Sequence, residues 1–154
     1  MSLGGTSPSS TLEQAVKYAY GKGVVLVAAA GNRNTSDPHY PAYYVKCLAV
    51  AATDQNDAKA SFSNYGAWVD IAAPGVNIYS TLPNHPNRIG VRNYGYLSGT
   101  SMAAPHVAGV AALMKARDPS LTNAQIASQL IATGDPTTGF TTAIPRVNAY
   151  RAVQ

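Results

Sequence analysis

The chain has 154 residues, of which 46% are hydrophobic and 12% charged, and it carries a net charge of +4. That is one ordinary domain with enough apolar residues for a core, which excludes a disordered chain, and the charged share is about half the usual one. The basic residues are scattered, with no two adjacent and no aromatic interleaving, so nothing marks a nucleic-acid partner, and the apolar runs 24–30 and 107–114 are too short to span a bilayer.

The first helix is announced by Ser10 and Glu13, an S-x-x-E capping box ahead of "LEQAVKYAY", with Gly21 or Gly23 as its end. "VVLVAAA" (24–30) and "CLAVAAT" (47–53) are continuous apolar runs of strand length, as expected of strands covered on both faces. The turn formers of "GNRNTSDPHYPAYYVK" predict a long loop between them. "WVDIAAPG", "NIYST" and "RNYGYLSG" are shorter strand candidates, and a helix follows Ser101. Thr122 and Gln125 cap a further helix reaching about Ala132, and Pro145 suits the start of a last one in "PRVNAYRAVQ". Buried-type strands alternating with helices predict an α/β fold with a largely parallel sheet. "MSLGG" lacks the basic start and apolar stretch of a signal peptide and reads as the end of a strand, so the chain is expected to open mid-fold. Cys47, the single cysteine, excludes an internal disulfide and a cysteine-based zinc cluster.

"LSGTSMAAPHVAG" (97–109) places Ser101 among small residues at the mouth of a helix. Unpaired N–H groups and the positive end of the helix dipole there favour a developing oxyanion. Pro105 is expected within the first turn, where its missing N–H costs least. A serine before a helix is equally well an N-cap, so this stretch alone leaves nucleophile and cap open. "VVLVAAAGN" ends a buried strand at Gly31 and Asn32. Strand ends of this kind gather active sites in open α/β sheets, Gly31 permits close backbone approach and Asn32 offers an N–H₂ donor; a simple strand-to-loop turn explains the same residues.

"GTSMAAPHVAGVAAL" resembles the serine segment of the subtilisin-like serine proteases, in particular the thermitase-like branch. "SLGG", "VAAAGN", "YPAYY", "ATDQND", "SFSNYGAWVDIAAPG", "IYST" and "RVNAYRAVQ" resemble that branch in the same order, over residues 2 to 154. The resemblance implies a subtilisin-like three-layer α/β fold, with residues 1–154 as its C-terminal half. It implies Ser101 as nucleophile and Asn32 as oxyanion donor beside the Ser101 amide. Ser2, Leu3 and Gly4 would line one wall of the pocket for the residue before the scissile bond, and Ala29, Ala30 and Gly31 the other. His39 stands near the floor of that pocket, where a histidine departs from the family pattern. Asp70, with the carbonyls of Ala42, Tyr44 and Cys47, matches a weak oxygen-ligand site for calcium or sodium; Asp70 could equally bond backbone amides at a strand end. No cofactor for chemistry is implied. The expected substrate is a peptide or protein, and the expected location is extracellular.

A serine hydroxyl needs a base, and the base a carboxylate. The chain has three histidines. His106 lies on the serine helix and is expected to be packed and structural. His39 and His85 lie in loops without the "HGTH" context of the family's base, and no "D-T/S-G" segment is present. The base is therefore expected outside this chain. Two readings follow. In one the chain is part of a protease, inactive alone, whose partner is the N-terminal half of the same domain. In the other it is a non-catalytic peptide-binding module or pseudo-protease. An exposed sheet edge would also permit self-association.

Overall fold

The computed structural model describes all of residues 1–154. Its elements are α1 (Ser10–Gly21), β1 (Val27–Ala29), β2 (Leu48–Thr53), β3 (Ile71–Pro74), β4 (Ile78–Thr81), β5 (Tyr94–Leu97), α2 (Thr100–Arg117), α3 (Asn123–Ala132) and α4 (Ala149–Ala152). Strands β1, β2 and β3 form a parallel sheet in that order, with Val27 opposite Leu48 and Val50 opposite Ile71. The apolar runs are continuous because both faces are covered. One face presents Val27, Leu48, Val50 and Ile71 to Val107, Val110 and Met114 of α2, in the main core. The other presents Ala28 and Ala49 to Val16 of α1, together with Tyr44 and Cys47. Bulky side chains therefore meet the long central helix, and alanines let the second layer approach closely.

Met1 continues the sheet beyond β1. Its amino group donates to the Val27 carbonyl at 2.5 Å, and Ala29 N donates to the Met1 carbonyl at 3.1 Å. Strands β4 and β5 form a separate antiparallel hairpin, with Ile78 opposite Leu97. Its Ile78, Ser80, Gly95 and Leu97 face lines a cavity of about 410 Å³ against Ser101 and α2. On its other face Tyr79 lies 4.8 Å from Tyr96 and 6.0 Å from Tyr94, ring centre to ring centre.

Three local expectations are corrected. The cap of α1 is Ser9, not Ser10: its hydroxyl accepts from Leu12 N, while Glu13 pairs with Lys17 instead of closing a capping box. Pro145 does not open the last helix. It belongs to a segment running beside β3, where Ala72 N donates to the Pro145 carbonyl and Val147 N to the Ala72 carbonyl, both at 2.8 Å; Asn148 caps α4. Pro105 sits in the second turn of α2, not the first.

Candidate active site

Ser101 does not cap α2. Gly99 occupies the cap position, and no side chain bonds to the helix start. Ser101 is thus part of the first turn, and its amide has no acceptor within the chain. A proline at 105 cannot donate to the Ser101 carbonyl one turn earlier. Ser2 fills the gap: its hydroxyl donates to that carbonyl at 2.7 Å. The Ser101 hydroxyl, in return, reaches only the Ser2 carbonyl, at 3.4 Å.

Asn32 approaches from the C-terminal end of β1. Its Oδ1 accepts from Thr100 N at 2.8 Å and from the Thr100 hydroxyl at 2.9 Å. Gly31 N donates to the same hydroxyl at 3.1 Å, so Thr100 ties the strand end to the helix start. With its oxygen occupied twice, the Asn32 amide is oriented, and the Nδ2 donor is left for whatever sits beside Ser101. The loop carrying Asn32 is held from behind by Asn64, which is 1% exposed. Asn64 Nδ2 donates to the Ala30 carbonyl at 2.9 Å, its Oδ1 accepts from Arg33 N at 2.9 Å, and its own N–H donates to the Gly31 carbonyl at 3.0 Å. Gly31 is required here: φ is +104°, and a Cβ would lie 2.5 Å from Asn64 Nδ2.

A cavity of about 350 Å³ opens beside Ser101, Asn32 and Thr100, with Leu3 and Gly4 on one side and Ala29 and Gly31 on the other. His39 and Arg33 complete it. Of the residues expected to line the pocket, Ala30 and Ser2 do not. Ala30 is fully buried in the layer beneath, and Ser2 turns to the Ser101 carbonyl. Burial first, and the Arg33 guanidinium second, hold the His39 imidazole below its ordinary pKa. Thr100, Asn64 and Arg33 were not singled out by sequence reasoning, although the first adjoins Ser101 and the last follows Asn32.

No histidine hydrogen-bonds Ser101. His106 is exposed rather than packed, and its Nδ1 lies 2.8 Å from the Met102 carbonyl, which makes that nitrogen the protonated one. His85 Nδ1 lies 3.1 Å from the Pro86 carbonyl in the hairpin loop. None of the chain's ion pairs joins a histidine to a carboxylate.

Asp70 lies just before β3. Its Oδ2 accepts from Ala49 N at 2.8 Å, and burial pushes its carboxyl above the usual range. It shares a cavity of about 170 Å³ with Cys47. Ala42, Tyr44 and Cys47 pack together in the smaller core, and Cys47 N donates to the Tyr44 carbonyl at 2.8 Å. No three histidine, cysteine, aspartate or glutamate side chains converge on a metal position.

Comparison with known proteins gives a consistent pattern. Residues 1–148 match the model of the subtilase family, peptidase S8. The chain is 54% identical over 154 residues to thermitase of Thermoactinomyces vulgaris, covering all of this chain and 53% of that protein. It is 55% identical over 130 residues to subtilisin BL of Lederbergia lenta, covering 84% of this chain and 46% of the relative. In structure it superposes on a protease of Pseudoalteromonas arctica PAMC 21717 with a TM-score of 0.89 and 39% identity, over 99% of this chain and 49% of the other. The chain spans about half the length of these relatives.

Proposed function

The chain belongs to the subtilase family, and from that premise we propose that it is the serine-bearing portion of a subtilisin-like endopeptidase. Ser101 attacks the peptide carbonyl, and Asn32 Nδ2 together with the Ser101 amide holds the oxyanion. The observation that carries this reading is the double occupation of Asn32 Oδ1 by Thr100, which fixes a free amide donor beside a serine whose own N–H is also free. Donors held in place before charge develops cost no reorganisation during the reaction. The Leu3–Gly4 segment at the cavity offers main-chain groups on which a substrate strand can add, with its side chain in the cavity.

The base and its carboxylate come from a segment outside these 154 residues, supplied by the N-terminal portion of the same domain, and this chain alone is inactive. In support, the Ser101 hydroxyl has no partner but a carbonyl, which cannot take its proton. Asp70, the carbonyls of Ala42, Tyr44 and Cys47, and a calcium or sodium ion form a structural site; an oxygen-only donor set around a half-buried carboxylate suits a hard cation. From the resemblance to the subtilisin-like proteases we place the assembled protease outside the cell.

A fluorophosphonate probe followed by intact-mass measurement tests the assignment. Ser101 should stay unlabelled in this chain, and should label at a protease-like rate once a polypeptide carrying the family's Asp-Thr-Gly and His-Gly-Thr-His segments is added. Rapid labelling without it would show that a base already faces Ser101.

A further inference from the structure

The endopeptidase reading places a substrate side chain in the cavity beside Ser101, and the residues closing that cavity specify which one. The His39 ring lies across the slot between its two walls. A Cβ at Gly4 would collide with His39 Nε2, and one at Gly31 would stand 3.0 Å from His39 Cγ. Arg33 lines the same cavity. Both basic side chains belong to one clamped loop: Arg33 N donates to Asn64 Oδ1, Tyr43 N donates to the His39 carbonyl at 2.8 Å, and Tyr40 exchanges two backbone hydrogen bonds with Gly5 at 2.8 and 2.9 Å. No carboxylate lines the cavity, and neither Arg33 nor His39 joins any ion pair of the chain.

A pocket with a cation and an imidazole but no acid is built for an anion. An apolar side chain placed there would take water from Arg33 and return nothing, whereas a carboxylate would accept charge-assisted hydrogen bonds. We propose that this pocket takes an acidic side chain, glutamate or aspartate, on the residue preceding the scissile bond, with Arg33 supplying the charge and His39 a hydrogen bond. The imidazole, held neutral by burial and by Arg33, keeps one ring N–H to donate. A carboxylate seated between the two opposes both effects, so binding draws the ring toward its protonated form.

The test needs no catalysis. Isotope-labelled chain is titrated with N-acetylated tetrapeptides ending in Glu, Gln or Phe, all with the same free C-terminal carboxylate, and the Gly4 and Gly31 amides and the His39 ring are followed by NMR. The Glu peptide should bind roughly tenfold more tightly than the other two. That preference should shrink in high salt and vanish in Arg33→Gln, and only the Glu peptide should raise the His39 pKa. Arg33 is exposed at its side chain, so the variant leaves the fold intact. A Phe peptide that binds as well as the Glu peptide, or a preference untouched by Arg33→Gln, overturns the inference and leaves the peptide cleft standing. If no peptide perturbs Gly4 or Gly31, the cleft reading fails and this inference with it.

Discussion

Asn32 and Ser101 line one cavity but are held to different degrees. Asn32 sits on a loop braced by Thr100 in front and Asn64 behind, with its oxygen bonded twice. The Ser101 backbone is equally fixed, through the Ser2 hydroxyl, yet its hydroxyl oxygen has a single long contact to a carbonyl. On the proposed reading, this chain carries the electrostatic half of catalysis, and the proton-transfer half comes from elsewhere in the protease. The two halves differ in what they demand. An oxyanion site needs rigid donors, which one strand end and one helix start can supply. Proton transfer needs a histidine and a carboxylate aligned on the hydroxyl, and the chain's three histidines lie in a pocket floor, a hairpin loop and the second turn of α2.

If the contrast is real, the catalytic cost of damage to the prepared half should be visible only after the other half is supplied. Asn32→Ala leaves Thr100 N and its hydroxyl without their acceptor and should destabilise this chain by about 1–3 kcal/mol. In the assembled protease it should lower kcat by roughly 10²- to 10³-fold with little change in KM, a figure taken from subtilisins rather than derived from this geometry. Steady-state kinetics on one peptide substrate decides it. An unchanged kcat would mean that the Nδ2 donor faces no developing charge.

Gly31→Ala attacks the same half through its foundation. The new Cβ would be forced to a φ of +104° and into the Asn64 amide at 2.5 Å. Strain and collision together should cost at least about 2 kcal/mol of stability, read as a lowered denaturation midpoint at constant slope. A neutral substitution would show that the loop is not clamped, and the contrast with Ser101 would lose its basis.

What was legible in the sequence follows the range of the interaction. The α3 cap was readable because Thr122 and Gln125 satisfy each other within one turn. The α1 cap was misplaced by one residue because Ser9 and Ser10 are locally equivalent, and a distant residue chooses between them: the Tyr44 hydroxyl accepts from Ser9 N at 2.8 Å and donates to the Ser9 carbonyl at 2.9 Å. Pro105 posed a question that only the fold answers, since Ser2, which takes the orphaned carbonyl, lies 99 residues away in the chain. That Ser101 and Asn32 meet at one cavity was readable from their motifs. Thr100, Asn64 and Arg33 were not, because each acts on a residue or cavity formed by several segments, and nothing in the surrounding pattern marks them. The alternating bulky and alanine faces of β1 and β2 were likewise hidden inside runs that are apolar at every position.

The smallest expected effect concerns a site away from this contrast and sharpens it by exclusion. Asp70 braces the start of β3 through Ala49 N, at the opposite end of the parallel strands from Asn32 and Ser101. Asp70→Asn keeps an oxygen for that hydrogen bond and removes only the charge. Calcium at ten times its dissociation constant should stabilise the unsubstituted chain by about 1.4 kcal/mol, or about 3–6 °C in Tm, and the response should be largely lost in the variant. Fluorophosphonate labelling of the assembled protease should be the same in both, because a cation there acts on folding and not on the oxyanion donors. Equal calcium responses would move the cation elsewhere. A labelling rate that tracked calcium occupancy would mean that the preparation of Asn32 is not local to Thr100 and Asn64 but depends on the far end of the strands.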